Sequence, residues 1–346
     1  IRLSLVGSEM CIRDSSEHVL TIIANYFATH GYEVTIISRT HKNNQYSIDS
    51  HIDVQYVETK SHLIFLRRSR QIIRNIKPNT VISFEYFYNM CAVLICLGLN
   101  VKLLISERND PARVGSGFIK SRIRNILYSF ADVLICQTDD AKNYFPDYIR
   151  KKVFIILNPI MSGLPSKQEK VRDKVIVNFC RLNKQKNIPL LISAFEEFCN
   201  IHPDYELHIY GDGAEKETIL DIIYSKHLER IIKVFPNTPN AHELVINAAM
   251  FVSTSDFEGL SNSMLEALSM GLPTICTDCP CGGARMVIED GVNGFLIPVN
   301  NQKSLVDKML LIAGSSELTI KLSNNALKIN NKLNVDNICK QWISLL

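Results

Sequence analysis

The sequence lacks any apolar segment long enough to cross a lipid bilayer. Its longest apolar run extends from Met90 to Leu99, whereas a membrane-spanning helix needs about 20 residues. We interpret this run as a buried helix. The chain also lacks a segment with the basic, apolar and small-residue zones of a secretory signal. These absences predict a cytoplasmic protein, which at most associates with the inner face of the cytoplasmic membrane.

The ten cysteines lack the spacing of a disulfide framework. In a chain of this length, a reducing compartment is the simpler interpretation. Cys276, Cys279 and Cys281 are spaced C-x2-C-x-C, which suggests zinc. A structural zinc site needs a second Cys or His cluster, and none follows at the required spacing. We therefore expect no metal.

No G-x-G-x-x-G motif opens either half of the chain, which disfavours a nicotinamide-dependent dehydrogenase. The net charge is +3, but it is unevenly distributed. Residues 16–157 carry 18 Lys and Arg against 12 Asp and Glu, and residues 158–346 carry 18 against 21. The basic half is compatible with an anionic membrane surface, with a phosphate-bearing acceptor, or simply with a solvated surface. We expect no nucleic-acid partner.

At 346 residues the chain exceeds the size of a single hydrophobic core, so two domains are expected. Strand and helix patterns alternate throughout, which indicates parallel sheets covered on both faces. In the first half the predicted strands are 33–38, 80–84, 101–106 and 132–137, and the helices are 19–30, 63–76, 90–98 and 119–130. In the second half the strands are 175–179, 205–210, 231–235, 250–253 and 273–277, and the helices are 188–201, 216–225 and 261–270.

These patterns predict four segments along the chain. Residues 1–15 do not lead into the glycine-rich turn expected after an opening strand. We regard them as a suspect, non-native segment and exclude them from the predicted fold. Residues 16–157 form an N-terminal domain and 158–330 a C-terminal domain, with a polar linker at 166–174. Residues 331–346 form a helix that crosses back to the N-terminal domain, with Trp342 packed in its core.

The strongest chemical signal lies between Ser255 and Gly271, where Glu258 and Glu266 are separated by seven residues. Gly259 permits close approach of the backbone to a ligand. The first N–H groups of the following helix have no partner within the helix and suit a phosphate. Glu266, deeper in that helix, can accept hydrogen bonds from ribose hydroxyls.

A second signal follows the first strand of the C-terminal half. Arg181 and Lys186 are expected at the strand's carboxyl end, where two cations can neutralise a departing diphosphate. Gly211 and Gly213 follow the next strand in a predicted tight glycine turn, which can pack beside a nucleobase. Thr138-Asp139-Asp140 offers an acidic pair, which we interpret as a helix cap rather than a metal site.

In this order, these motifs resemble those of the retaining GT-B glycosyltransferases of the group 1, family 4 type. The resemblance covers the chain from about Glu17 onward and is most specific over residues 177–298. It implies an α/β fold with two Rossmann-like doubly wound domains facing across a cleft. The stretches ISERNDP, from Ile105, and TDCPCG, from Thr277, are similar to bacterial members that extend capsule, exopolysaccharide or lipid-linked oligosaccharide chains.

The resemblance also implies roles for the motif residues. Arg181 and Lys186 hold the donor diphosphate, and Glu258 contacts the donor sugar. The backbone of Gly259, Leu260, Ser261 and Asn262 lies nearby, and Glu266 holds the ribose. A UDP-sugar is the expected co-substrate, with a glycan or lipid-linked glycan as acceptor. No cofactor or divalent metal is expected, and the transferred hexose or N-acetylhexosamine keeps its anomeric configuration.

The chain departs from the family pattern where the acceptor is expected to bind. The usual glycine-rich turn is replaced by Asp14-Ser15-Ser16-Glu17-His18, in which only Glu17 matches. If residues 1–15 are foreign, the chain lacks its first strand. A histidine that many members place after the fourth strand is also missing, and Glu107 and Arg108 stand in that region. We assign Glu17, Glu107 and Arg108 to the acceptor side.

Three further questions stay open at the level of sequence. A UDP-sugar epimerase of the same architecture would interconvert its substrate without an acceptor, although Arg181, Lys186 and the paired glutamates favour transfer. A non-catalytic nucleotide- or glycan-binding protein is the other alternative. The basic helix with Arg67, Arg68, Arg70 and Arg74 either docks on anionic lipid or is solvated.

Overall fold

The computed structural model describes residues 2–6, 15–39, 47–165, 171–238 and 241–346. Residues 7–14 of the suspect segment, Asp14 among them, and residues 166–170 of the predicted linker lie outside the described residues. The chain divides into two compact units. The first unit comprises Ile1–Pro159 with Leu333–Leu346, and the second comprises Ile160–Lys332.

The first unit is built on a parallel sheet whose described strands follow the order β3-β2-β1-β4-β5-β6-β7. Its strands are β1 (Arg2–Val6), β2 (Glu33–Ser38), β3 (Asp53–Tyr56), β4 (Thr80–Phe84), β5 (Lys102–Ser106), β6 (Val133–Cys136) and β7 (Val153–Ile155). Its first six helices are α1 (Ser15–Thr29), α2 (His62–Ile76), α3 (Tyr86–Cys96), α4 (Phe118–Tyr128), α5 (Asp139–Tyr144) and α6 (Asp147–Arg150). Each successive strand is parallel to its neighbours, as helical crossovers require.

Local chemistry sets the helix ends in this unit. The hydroxyl of Ser61 accepts a hydrogen bond from the backbone N–H of Ile64 (3.4 Å) at the start of α2. Lys77, with a φ of 51°, ends the helix in the left-handed region, and Pro78 follows. The hydroxyl of Thr138 accepts from the N–H of Ala141 (3.0 Å) at the start of α5. The interpretation of Thr138-Asp139-Asp140 as a helix cap is confirmed.

The prediction that residues 1–15 stand apart from the fold is wrong for residues 2–6. They form β1, which pairs in parallel with β2 on one side and β4 on the other, near the middle of the sheet. Leu3, Ser4 and Leu5 are each 0% exposed. Two strand partners and buried side chains hold this segment in place, and neither depends on a glycine-rich turn. Its suggested non-native origin stays a prediction.

The second unit is built on another parallel sheet, whose described strands follow the order β10-β9-β8-β11-β12-β13. Its strands are β8 (Asp173–Phe179), β9 (Glu206–Tyr210), β10 (Ile232–Phe235), β11 (Ala248–Ser253), β12 (Thr274–Thr277) and β13 (Phe295–Ile297). Its helices are α7 (Ile188–Cys199), α8 (Lys216–Ser225), α9 (Ala241–Val245), α10 (Asn262–Ser269), α11 (Gln302–Gly314), α12 (Ser316–Ala326) and α13 (Ile329–Lys332). Short 3-10 helices lie at Lys184–Lys186 and Ala284–Met286.

The last helix, α14 (Val335–Ile343), lies in the first unit and packs against α1. Trp342 is 0% exposed and stacks on Phe84 of β4, with 5.5 Å between ring centroids. The interpretation of Trp342 as a core residue is confirmed. None of the helices in the described ranges combines the length and apolarity that crossing a bilayer requires.

Candidate active site

The predicted donor residues lie at the carboxyl edge of the second sheet, where ligands of such sheets bind. β9, β8 and β11 are neighbours in this sheet. Arg181 and Lys186 follow β8, Gly211 and Gly213 follow β9, and Glu258 follows β11. Parallel strands end at the same edge, so the fold brings together three segments that are far apart in sequence.

Lys186 and Glu258 form an ion pair between their Nζ and Oε1 atoms, and each side chain is 16% exposed. The hydroxyl of Ser255 donates a second hydrogen bond to the same carboxylate oxygen (3.0 Å). Burial opposes the charge on Lys186, but the carboxylate of Glu258 outweighs burial and raises the pKa of Lys186 above its ordinary value. Lys186 is therefore a cation at neutral pH, held at the sheet edge.

The loop after β8 and the loop after β11 are joined by hydrogen bonds that hold this pair in place. The side-chain amide of Gln185 donates to the carbonyl of Phe257 (2.7 Å), and the N–H of Asp256 donates to the carbonyl of Gln185 (2.8 Å). The hydroxyl of Thr254 donates to the carbonyl of Lys186 (3.0 Å). Sequence reasoning missed these supporting residues, because each bond joins positions about 70 residues apart.

Gly211 and Gly213 press against the backbone on either side of Arg181. A Cβ on Gly211 would lie 2.0 Å from the carbonyl oxygen of Cys180, and one on Gly213 would lie 2.1 Å from that of Leu182. Neither glycine has a left-handed φ. Both are thus required for close approach of two segments, rather than for a tight turn. The side chain of Arg181 is exposed, and its charge acts on Lys186.

The Gly259–Asn262 segment leads into α10. A Cβ on Gly283, which sequence reasoning missed, would lie 1.6 Å from the carbonyl oxygen of Gly259, so only glycine fits there. Leu260 is 3% exposed, so its side chain is not available to a ligand. The Ser261 hydroxyl accepts no capping hydrogen bond from a backbone N–H of α10. The N-terminus of α10 has the partial positive charge that suits an anion.

Glu266 lies in the middle of α10 with a 14% exposed side chain. Its Oε2 atom is 3.0 Å from Nε2 of His242, on α9. The His242 ring also meets Phe179 edge-on, with 5.7 Å between centroids. His242 was not singled out from the sequence, where a lone histidine in a short helix carries no signal. It fixes the orientation of Glu266.

The cysteines near this edge are buried thiols. Burial raises the pKa of Cys279 to about 12, with a further contribution from the charge of Glu258. Burial also raises the pKa of Cys276. A neutral thiol is a poor metal ligand. Across the described ranges, no group of three or more His, Cys, Asp or Glu side chains is arranged to hold a metal ion.

The predicted acceptor-side residues are all in the first unit. Glu17 lies in the first turn of α1 and is 9% exposed. Glu107 follows β5 and is 2% exposed, with its Oε2 accepting a hydrogen bond from the hydroxyl of Tyr128 (2.8 Å). Arg108 donates to the side-chain oxygen of Asn158 and lies 5.3 Å from the Phe84 ring centroid. The carboxylate of Glu107 therefore already takes part in a buried contact. The acceptor roles of the three residues stay predictions.

The basic residues of α2 divide between the surface and the interior. Arg67, Arg68 and Arg74 are exposed, whereas Arg70 is partly buried and donates to the carbonyl of Ile95 (2.5 Å). One of the four arginines therefore has a structural role, and three are available to a partner.

Comparison with known proteins identifies the family. Residues 164–329 match the family described as Glycosyl transferases group 1, and residues 16–161 match Glycosyltransferase Family 4. An uncharacterized glycosyltransferase of Haemophilus influenzae is 22% identical over 96% of each chain. A Campylobacter jejuni enzyme is 23% identical over 96% of this chain and 94% of its own. Its name is GalNAc-alpha-(1->4)-GalNAc-alpha-(1->3)-diNAcBac-PP-undecaprenol alpha-1,4-N-acetyl-D-galactosaminyltransferase.

Among solved structures, Anabaena HepE in complex with UDP-glucose superposes with a TM-score of 0.87 at 17% identity, covering 99% of this chain and all of that one. At this identity the likeness concerns the fold, which is the two-sheet GT-B fold predicted from the sequence. The two family matches are adjacent and together cover most of both units. The chain therefore belongs to the group 1 glycosyltransferases and is a glycosyltransferase with the GT-B fold.

Proposed function

We propose that this protein transfers a hexose or N-acetylhexosamine from a UDP-sugar to a glycan acceptor, with retention of configuration and without a metal. The observation that carries the proposal is the partly buried Lys186–Glu258 ion pair at the carboxyl edge of the second sheet. Arg181 lies close enough for its charge to act on Lys186. Preorganised positive charge is what a departing diphosphate requires.

The donor diphosphate binds between the two cations and the first amides of α10. Arg181 and Lys186 provide positive charge, and the amides of α10 provide N–H donors and the positive end of the helix dipole. In this way the protein provides the charge stabilisation that a divalent metal provides in other enzymes. No cofactor takes part.

Donor binding then changes the partner of Glu258. In the free protein this carboxylate is held by Lys186 and Ser255. When Lys186 turns to the diphosphate, Glu258 accepts hydrogen bonds from hydroxyls of the donor sugar. Glu266, oriented by His242, accepts from the ribose hydroxyls. The leaving phosphate oxygen takes the proton of the incoming hydroxyl on the same face of the sugar, which retains the configuration.

The acceptor is a lipid-linked or polysaccharide glycan at the inner face of the cytoplasmic membrane. Support comes from the Campylobacter relative, whose name gives a PP-undecaprenol acceptor. The fold neighbour with UDP-glucose supports a UDP-sugar donor. In this proposal the acceptor meets the first unit, near the carboxyl ends of its strands, where Glu17, Glu107 and Arg108 lie.

The first test is thermal unfolding of the purified protein with a panel of nucleotides and nucleotide sugars. A ligand at about 100 times its Kd adds about 2.7 kcal/mol to the stability of the native state. We expect stabilisation by UDP and by one UDP-sugar, and its loss in Arg181→Ala. Lys184→Ala is the matched control, because Lys184 is an exposed cation of the same loop.

The outcomes separate the rival functions. Stabilisation by no nucleotide would contradict the donor site. Stabilisation followed by conversion of the UDP-sugar without any acceptor would indicate an epimerase. Tight binding with an unchanged donor in the presence of every glycan acceptor would indicate a binding protein.

A further inference from the structure

Helix α4 turns an apolar stripe toward solvent. Ile119, Ile123, Ile126 and Phe130 recur at the spacing of one helix face, the last of them just past the helix end. Their exposed fractions are 71%, 50%, 57% and 59%. Phe118, at the first position of α4, is 73% exposed. A surface helix normally turns its apolar face inward, so α4 has the reverse arrangement.

The inward face of α4 is polar, which explains why the apolar stripe is not the core face. Arg124 is 0% exposed and donates to the carbonyls of Pro111 (2.7 Å) and Val114 (3.3 Å). Tyr128 is also fully buried and donates to Glu107. These bonds set the rotation of the helix. Among the described residues, nothing packs closely enough on the opposite face to bury it.

Cations flank the stripe on both sides. Lys120 and Arg122 are exposed, and the helical periodicity places them at opposite edges of the stripe. The guanidinium of Arg122 lies 5.2 Å from the centroid of the Phe118 ring. Helices α2, α3 and α4 pack side by side, and no Asp or Glu occurs in any of them. The layer as a whole is therefore cationic, with Arg67, Arg68 and Arg74 also exposed.

We propose that the α4 stripe docks on an anionic lipid bilayer, with Phe118, Ile119, Ile123, Ile126 and Phe130 in the headgroup boundary and Lys120 and Arg122 among the lipid phosphates. An outward apolar stripe between cations is the pattern of helices that lie in a membrane interface. The stripe has cations on both flanks, and the neighbouring helices carry no Asp or Glu. A bilayer supplies phosphate to both flanks at once, whereas a protein partner would need acidic side chains along both.

This inference rests on the proposed function, because membrane docking would bring the protein to a lipid-borne acceptor. Helix α4 begins at the end of the connection that leaves the carboxyl end of β5, so Phe118 lies toward the same sheet edge as Glu107 and Arg108. The sequence analysis considered lipid contact only for α2 and left it open, whereas this assignment places it on α4. The exposed apolar residues of α2 are confined to its first turn, at Leu63 and Ile64.

The test is co-sedimentation of the full chain with vesicles of phosphatidylcholine, alone or with roughly one third phosphatidylglycerol. We expect binding to the anionic vesicles. Ile123→Ser/Ile126→Ser should lower the partition coefficient at least about tenfold, because two apolar side chains no longer enter the interface. Lys120→Gln/Arg122→Gln should lower it by about fivefold per cation. Leu311→Ser/Ile320→Ser is the matched control, since these residues of the second unit are 49% and 53% exposed, and should bind as wild type.

Several results would overturn the proposal. The first is wild-type binding by the isoleucine variant, and the second is equal binding of the protein to neutral and anionic vesicles. The third is that the α4 variants still bind, whereas the triple variant Arg67→Gln/Arg68→Gln/Arg74→Gln does not. A dimer in light scattering that the isoleucine variant dissociates would make the stripe an interface between copies. UDP stabilisation is measured on the same samples. If the wild-type protein does not bind vesicles but is stabilised by UDP, only the docking proposal fails. If it binds vesicles but is not stabilised by UDP, only the donor site fails.

Discussion

Glu107 in the first unit and Glu258 in the second occupy comparable places and have opposite surroundings. Both follow a parallel strand at a carboxyl sheet edge, Glu107 after β5 and Glu258 after β11. Glu258 is paired with Lys186 and keeps a partly exposed side chain. Glu107 is 2% exposed and accepts from the phenol of Tyr128, and burial raises its pKa to about 7. The carboxylate of Glu258 is partly exposed and paired with a cation, whereas the carboxylate of Glu107 is enclosed.

The comparison teaches that position at a sheet edge does not by itself assign a role. What matters is whether the partner of the carboxylate is a cation that a ligand can compete for or the hydroxyl of a buried residue. Glu258 satisfies the first condition, whereas Glu107 satisfies the second. A substitution at one should therefore affect chemistry, and a substitution at the other should affect stability.

The largest effect should come from breaking the pair in the second unit. Lys186→Ala and Glu258→Ala should each lower turnover by about 10²–10³-fold, because each removes preorganised charge or a sugar contact from the transition state. The measurement is sugar transfer at saturating donor, with circular dichroism to establish that the variants fold. Lys184→Ala should keep the wild-type rate. Full activity in either pair variant would remove that residue from the mechanism.

A pH titration should reveal the enclosure of Glu107. Its folded-state pKa is raised from 4.5 to about 7 by burial, against opposing contributions from Tyr128, Arg124 and the Arg108 backbone, while Asp110 adds to the rise. The folded state then binds the proton more tightly than the unfolded state. The resulting stability is present below pH 4.5 and is lost as the pH rises through 7, by up to about 3 kcal/mol.

The measurement is the free energy of unfolding between pH 4 and about 8, for wild type and Glu107→Gln. The difference between the two should change across this window, because the glutamine does not titrate. A difference that stays constant with pH would show that Glu107 is not enclosed in solution.

A smaller loss of stability should follow Tyr128→Phe. The hydroxyl donates to Glu107 and accepts from the side-chain amide of Asn89 (3.3 Å), and both partners are buried. Its removal leaves buried polar atoms without that contact, at a cost of about 1–3 kcal/mol. Urea denaturation measures the change, and UDP stabilisation should be unaffected. A lost UDP response would link the first-unit cluster to the donor site and erase the contrast.

The smallest effect should come from removing metal. We expect EDTA to change the rate of transfer less than about twofold, because two cations and the α10 amides provide the charge stabilisation. The assay is run with and without added Mg²⁺ or Zn²⁺. A large loss in EDTA, restored by one ion, would contradict the metal-free proposal and reopen the question of Cys276, Cys279 and Cys281.

Most long elements of the fold were predictable because their side chains are buried on a regular period, although α11 and α12 were not predicted. The predicted bounds of β2, β4 and α8 coincide with the observed ones. Apart from β1, which lies in the excluded segment, the strands that were missed are β3, β7 and β13, and they are three or four residues long and lie at sheet edges. Three or four residues are too few to show a regular apolar period. β3, with sequence DVQY, is an example.

The candidate site was predictable in its charges and not in its contacts. Arg181, Lys186 and Glu258 follow strands, which places them at one edge. Ser255, His242 and Gly283 act through segments distant in sequence, and no local pattern reveals which segments meet. Helix α4 shows another limit: its period predicts a helix, but the buried Arg124 turns the apolar face outward, against the usual rule.

Synthesis on the ribosome completes the second unit before the first, because the first unit includes the C-terminal residues 333–346. All residues of the second unit, 160–332, are made before α14 emerges. Until then the first unit lacks the helix that packs against α1 and the indole that covers Phe84. The C-terminal half can thus reach its native state while the N-terminal half still exposes apolar surface to chaperones. Trp342 is the single tryptophan, so its fluorescence should mark the moment when the first unit closes.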